Sequence, residues 1–479
     1  MNNEYLPPRI SNELGRSAPE AASDRNYYAR GVSSPTLPEI DGVPVSQLTT
    51  LFGSPLFVFS EKSLREKATT LRNVFKSRYE KTDFAWSYKT NYLNAICQTF
   101  HQEGWIAEVV SDFEYQKARK LGIPGKDIVF NGPYKPREIL ETALSDGALV
   151  QIDNWDELEV IEEIVTNASQ PVQVGIRIWL DAGIQPIWSK FGFALINGEA
   201  GRAAERIIKN PNLILHTLHT HIGTYILSPN AYAVSAQKLL ALREHLNNEH
   251  NHLVECINLG GGFPSQSLLH GMIGPADQAV PAIESYADAI TDVFNKLPES
   301  KRPILRFETG RYLVDDAGYL LSTVVAVKSG SRYPLQNNQG LSAQDHKEQL
   351  ILNQDSKMFS YVIDAGINLL YTAAWYQMNI YPARKIDSPP LPSRLYGPMC
   401  MAIDVVRYHV DLPPLKTNDI LTIHPVGAYN VSQSMQFISY RPATVMIDMK
   451  GKAHIIRQRE VLEDVDGPEV MPKYLANRT

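Results

Sequence analysis

The sequence predicts an α/β protein, a (β/α)8 barrel joined to a second, C-terminal β domain. Two observations predict it. From residue 84 onward, eight short runs rich in β-branched and aromatic residues alternate with segments whose apolar residues recur every three to four positions. After about residue 320 that alternation gives way to strand-like runs separated by turn residues. Eight β-α units in about 250 residues fit a barrel, with a doubly wound open sheet as the main rival.

The strand candidates, in order, are "FAWSYK" at 84, "AEVVS" at 107, "IVFNG" at 128, "LVQID" at 149, "VGIRIW" at 174, "LHTLHTH" at 215, "CINLGGG" at 256 and "ILRFE" at 304. Between them "DFEYQKARKLG", "KPREILETALSDG", "NWDELEVIEEIVTNA", "GEAGRAAERIIKN", "NAYAVSAQKLLALREHLNNEH" and "PAIESYADAITDVFNKL" carry helical periodicity. Asn154 followed by Glu157 reads as a capping box, and Gly122 and Gly147 stand where helices end. The barrel is expected over 61–320 and the β domain over 321–479, the latter carrying Cys400 and Tyr429. "YLLSTVVAVK", "FSYVIDAG", "DILTIHPVG" and "ATVMIDM" supply strands of the β domain, and residues 41–60, with "PLFVF", add one from the N-terminal side. "SGSRYPLQNNQGLSAQDHKEQ" reads as a surface insertion, and residues 1–40 as a polar arm with freedom to move.

Apolar residues make up 44% and charged residues 20% of the 479, ordinary for a globular enzyme and too apolar for a disordered chain. The net charge of -6 provides no basic field for nucleic acid or anionic lipid, so small-molecule chemistry is favoured. Cys97, Cys256 and Cys400 are too few and too scattered for a disulfide framework or a zinc cluster, which fits a reducing, cytoplasmic setting. The N-terminus has no apolar signal-like region, and no run of about 18 apolar residues appears.

In a barrel, residues at the C-terminal ends of the strands converge on one face. Those positions hold Lys89, Arg177, His221, the triplet Gly260, Gly261 and Gly262, and Glu308. Taken singly, each has a bland explanation: a solvated lysine, a rim ion pair, a core histidine, a tight turn, a solvated acid. Together they make chemical sense. Glycines let backbone N–H groups approach a phosphate, and no G-x-x-x-x-G-K pattern is present to indicate a nucleoside triphosphate. A lysine in a partly desolvated pocket, its pKa lowered, forms a Schiff base with an aldehyde. An imidazole stacks on a ring and a carboxylate holds a pyridinium proton. Phosphate, aldehyde, ring and ring nitrogen describe pyridoxal 5'-phosphate.

The chain resembles the fold-type III pyridoxal-phosphate decarboxylases, the diaminopimelate and ornithine decarboxylase family with an alanine racemase-like fold, from about Leu48 to Asp448. "SYKTN" is similar to the Schiff-base lysine motif, "HTHIGT" to the histidine motif, "LGGGFP" to the phosphate loop, "ETGR" to the pyridinium-carboxylate motif, "GPMCMAID" to the catalytic-cysteine motif and "GAYN" to the phosphate-tyrosine motif. The resemblance implies that Lys89 holds the cofactor as an aldimine, that His221 stacks on its ring and that Glu308 holds its nitrogen. Gly260 to Gly262, Arg311 and Tyr429 would surround the phosphate. Cys400 would protonate the carbanion after decarboxylation, reaching across from a partner subunit, which implies a homodimer with shared active sites.

Two positions depart from the family pattern. Diaminopimelate decarboxylases carry Glu after the catalytic cysteine and ornithine decarboxylases Asp, whereas here the residue is Met401. In "DAGINLLYTAAWY", which resembles a segment with an arginine, Thr372 takes the arginine's place. With Arg177, Tyr371, Trp375 and Tyr376, these residues suggest a substrate pocket suited to a modified or non-standard amino acid. The competing readings are a diaminopimelate decarboxylase in which Arg394, Arg407 or Arg441 restores the charge, an amino-acid racemase, and a non-catalytic relative. Racemases of the fold pair the ring nitrogen with arginine, where this chain has Glu308. A non-catalytic relative would lack the lysine or the cysteine, and both are here.

Overall fold

In the computed structural model, which describes residues 35–272, 275–329 and 358–476, all eight expected runs form barrel strands. They are Thr82–Ser87, Ile106–Val109, Ile128–Phe130, Leu149–Ile152, Val172–Trp179, Leu213–His219, Cys256–Asn258 and Ile304–Thr309. Each pairs in parallel with the next, from Ala85 beside Ile106 to Cys256 beside Ile304. Phe307 beside Phe84 joins the eighth strand to the first, so the sheet closes and the open-sheet rival is excluded. Aromatic rings pack helices onto strands: Phe75 of the helix Glu61–Lys76 lies 4.4 Å from the Phe307 ring, and Phe100 of the helix Asn94–Gln102 lies 4.2 Å from that of Trp86.

Helix ends follow the local rules with one exception. Gly122 and Gly147 adopt φ of +85° and +79°, the left-handed geometry that ends a helix at low cost. Asn154 Oδ1 accepts the Glu157 N–H at 2.9 Å, the expected cap. The Glu157 carboxylate does not complete the box; it accepts the Asp153 N–H at 2.8 Å and the Lys135 ammonium at 2.7 Å. Lys135 draws it away, since that side chain is 0% exposed and an unpaired buried ammonium would be far more costly than an unfinished cap.

The chain divides into two units, one formed by Lys62–Ala317 with Gly427–Ser432, the other by the remaining described residues. Tyr429 therefore belongs to the barrel unit and not, as expected, to the β domain. Backbone bonds explain this: Gly427 N–H donates to Asp315 O at 3.0 Å and Tyr429 N–H to Thr90 O at 2.8 Å. In the second unit Leu56–Ser60 lies antiparallel to Gly318–Ser329 and parallel to Ala443–Ile447. Val45, Leu48, Leu56, Val58, Leu321, Val445 and Ile447 form its core. The expected arm over 1–40, apart from its end, and nearly all of the polar insertion lie outside the described residues. Among the described residues, no helix is long and apolar enough to cross a membrane.

The Lys135–Glu157 pair yields a stability prediction. Glu157→Ala should destabilise the barrel by about 3–5 kcal/mol by stranding the ammonium, whereas Lys135→Met with Glu157→Leu should recover most of the loss. Urea unfolding followed by tryptophan fluorescence measures both.

Candidate active site

Lys89 lies just past the first barrel strand, in the helical turn Tyr88–Thr90. Its side chain is 38% exposed, and its ammonium donates to both oxygens of Glu108, at 2.9 and 2.7 Å. Burial, the largest single influence, pulls its pKa down, but Glu108, Tyr429 and Glu308 together outweigh it, with Glu108 foremost, so the net shift is upward. This corrects the expectation of a lysine lowered by desolvation. Glu108, at the end of the second strand, also accepts Ser87 Oγ at 2.6 Å and Asn131 Nδ2 at 2.9 Å.

Glu308 lies in the eighth strand, 6% exposed. Asn258 Nδ2 donates to its Oε1 at 2.7 Å, and His219 Nε2 lies 3.3 Å from its Oε2. Burial by itself would raise this carboxyl; His219 and the Lys89 charge pull it well below the usual carboxylate range. It is thus an anion in a buried place, suited to hold a proton on a neighbouring ring nitrogen.

His221 follows the sixth strand. The Gly261 N–H donates to its Nδ1 at 3.1 Å, which leaves the ring proton on Nε2. Burial, followed by the charges of Arg177 and Lys89, pushes its pKa well down, so the ring is neutral. Trp188 meets it edge to face at 5.3 Å. Arg177, in the fifth strand and 8% exposed, has its guanidinium 4.4 Å over the Phe191 ring, and among the described residues no carboxylate lies within ion-pair distance of it.

The glycine triplet is shaped by its neighbours. A Cβ on Gly260 would fall 2.7 Å from His221 Nδ1, one on Gly261 2.2 Å from Glu308 O and one on Gly262 2.5 Å from Gly223 O. The triplet packs against the strand ends that carry His221 and Glu308. Arg311 begins the short helix Arg311–Val314, and its guanidinium lies 5.1 Å from the Tyr429 ring centre. Tyr429 has φ of +66°, rare and strained for a bulky residue.

The barrel unit thus brings together Lys89, Arg177, His221, Gly260 to Gly262, Glu308, Arg311 and Tyr429. One amine, one buried carboxylate, a neutral imidazole and an arginine beside a glycine-lined turn suit a phosphorylated aldehyde on a nitrogen heterocycle. Glu108, Asn131, His219 and Asn258 were missed by the sequence reading. Glu108 and His219 stand at strand ends, where the rule that found Lys89 would have found them too.

Cys400, Met401, Tyr371, Thr372, Trp375 and Tyr376 lie in the second unit. Cys400 is exposed and Thr372 is 5% exposed. Asp404 fastens their two segments together, accepting the Met399 N–H at 2.7 Å on one oxygen and the Ile367 N–H at 2.9 Å on the other. A Cβ on Gly366 or Gly397 would collide with that carboxylate, at 2.4 and 2.3 Å. The rings of Tyr371 and Trp375 are 5.1 Å apart.

Residues 61–315, more than half of the chain, match the family model described as pyridoxal-dependent decarboxylase, pyridoxal binding domain. The diaminopimelate decarboxylase of Bacillus subtilis is 28% identical over 448 residues, covering 89% of this chain and 94% of that one. That of Methanocaldococcus jannaschii is 27% identical, covering 91% and 95%. Among solved structures, diaminopimelate decarboxylase from M. jannaschii superposes with a TM-score of 0.78 at 26% identity, covering 91% of this chain and 96% of that one.

The Glu108–Lys89 pair sets a pH dependence. Glu108→Gln removes the foremost charge that holds the lysine up, leaving burial opposed only by Tyr429 and Glu308, so the Lys89 pKa should fall. The pH midpoint for acylation of Lys89 in the cofactor-free protein, followed by peptide mass spectrometry, should move to lower pH. An unchanged midpoint would contradict the pairing.

Proposed function

Because the chain belongs to the pyridoxal-dependent decarboxylase family, we propose that it removes carbon dioxide from Cα of an amino acid whose distal end lacks the free ammonium and carboxylate of meso-diaminopimelate. The family makes it an amino-acid decarboxylase and makes pyridoxal 5'-phosphate its cofactor. The bound cofactor supplies an electron sink for the charge left at Cα when carbon dioxide departs.

In this reading Lys89 holds the cofactor covalently, with Glu108 as its counter-charge before attachment. Neutral His221 packs against the ring and Glu308 keeps the ring nitrogen protonated. Gly260 to Gly262, Arg311 and Tyr429 bind the phosphate. Arg177, a buried guanidinium without a carboxylate partner among the described residues, takes an anionic group of the substrate. Cys400 Sγ delivers the proton to Cα from a partner subunit of a homodimer. The three cysteines are unpaired, which supports a cytoplasmic setting.

The observation that carries the substrate reading is the pair Thr372 and Met401, neither of them charged. A distal ammonium and carboxylate at those positions would lose two charge-assisted contacts. Relocation of the charge finds little support: Arg441 is paired with Glu460 at 3.0 Å, Arg394 donates to the Tyr396 hydroxyl at 2.9 Å, and Arg407 donates to His409 O at 3.3 Å. The second reading, a diaminopimelate decarboxylase with relocated contacts, is favoured by the names of the curated relatives.

Release of carbon dioxide by the holo-protein across free amino acids, diamino acids and their distally acylated or amidated conjugates separates the two. Two lost contacts of roughly 1.5–3 kcal/mol each should lower kcat/KM for meso-diaminopimelate by about two to four orders of magnitude relative to the preferred substrate. Turnover of meso-diaminopimelate above about 10⁴ M⁻¹s⁻¹ would favour the second reading. The shared site has its own test. Lys89→Ala should lose the borohydride-fixed cofactor and Cys400→Ala should retain it, and mixing the two inactive proteins should restore activity up to about a quarter of wild type through hybrid dimers with one intact site. Subunit exchange without any restoration would exclude a shared site.

A further inference from the structure

We propose that Asp315 is the positioning residue that holds the phosphate cup assembled before the cofactor arrives, an inference that rests on the reading of Gly260 to Gly262, Arg311 and Tyr429 as that cup. Asp315 is 2% exposed and follows the Arg311–Val314 helix. Its Oδ2 accepts Ser265 Oγ at 2.5 Å and Ser267 Oγ at 2.8 Å, its Oδ1 accepts the Ala428 N–H at 3.1 Å, and Arg311 Nη1 lies 3.6 Å from Oδ2. Its backbone carbonyl accepts the Gly427 N–H at 3.0 Å.

One carboxylate therefore fastens three separate segments: the residues just after the glycine triplet, the turn that begins with Arg311, and the loop that ends in Tyr429. That loop needs fastening. Tyr429 is left-handed at φ +66°; the bonds from Ala428 to Asp315 and from the Tyr429 N–H to Thr90 hold its N-terminal side, and Ser432 Oγ, donating to Lys89 O at 2.9 Å, holds the residues after it. Gly427 packs so closely on the helix that a Cβ there would fall 1.8 Å from Val314 O. Charge alone argues against an acid beside a phosphate site, so its presence needs a compensating role. With both oxygens engaged by protein donors, its charge is spread over the residues it positions.

The test titrates the cofactor-free full chain with pyridoxal 5'-phosphate, with pyridoxal, and with inorganic phosphate as competitor. Asp315→Ala should weaken the phosphorylated aldehyde and inorganic phosphate by about tenfold or more and pyridoxal by less than about twofold. Asp315→Asn, which keeps the shape, should show the same selectivity with a smaller loss of about threefold. Should Asp315→Ala fail to fold, Ser265→Ala with Ser267→Ala, which leaves the acid in place, is expected to lose about threefold with that same selectivity. Equal weakening of pyridoxal and its phosphate would overturn the proposal by showing only general structural damage, and so would unchanged phosphate affinity in folded Asp315→Asn and the double serine variant. Arg311→Ala serves as the control. If it leaves phosphate selectivity intact, the cup is misassigned; if it abolishes selectivity while the Asp315 variants do not, only the role of Asp315 fails.

Discussion

Closure of the sheet is the constraint on which the site depends. In an open sheet the strand carrying Lys89 and the strand carrying Glu308 would have no reason to be neighbours, since more than two hundred residues separate them in sequence. The pairing of Ile304–Thr309 with Thr82–Ser87 makes them adjacent, with Glu308 in register with Ala85. The pairing of Leu213–His219 with Val172–Trp179 does the same for His219 and Arg177, which are direct partners in register. A parallel barrel aims every strand the same way, so residues at the strand ends meet on one face without any need for long loops.

Meeting there creates an electrostatic problem that the sequence resolves by pairing. Glu108 and Glu308 are both nearly excluded from solvent, and burial by itself would drive Glu308 toward its neutral form. Lys89 supplies the charge that keeps Glu108 engaged, while Asn258, His219 and the field of Lys89 keep Glu308 ionised. His221, in the same field, stays neutral because burial, and after it the cationic neighbours Arg177 and Lys89, disfavour its charged form. Acid, base and neutral ring are thus distinguished by position.

All eight barrel strands were legible, and with them Lys89, Arg177, His221 and Glu308 at or just past their ends, though not Glu108 or His219, because strand composition and helical periodicity are local signals and the barrel rule converts strand ends into neighbours. Three things were not. The sign of the Lys89 shift depends on Glu108, nineteen residues away, and no local pattern says which acid will face a lysine. The return of Gly427–Ser432 to the barrel unit rests on backbone bonds to Thr90 and Asp315, which leave no compositional trace. The diversion of Glu157 from its capping role is likewise set by Lys135, a partner twenty-two residues distant. Each is a tertiary contact overriding a local preference that was itself correctly read.

The glycine triplet shows how far a motif can be trusted. From sequence, three consecutive glycines after a strand argue for a phosphate, because only a bare backbone lets an anion come close. In the folded barrel the same three are already required by protein atoms, since Cβ groups there would strike His221, Glu308 O and Gly223 O. A chain that bound nothing but kept this packing would keep these glycines. Packing explains Lys89 and Arg177 less well: each is a charge held at a strand end at a desolvation cost, Lys89 set against buried Glu108 and Arg177 stacked on Phe191 with no carboxylate within ion-pair distance among the described residues. The functional assignment therefore rests more securely on the charged residues than on the glycines, although the glycines were the more conspicuous in the sequence.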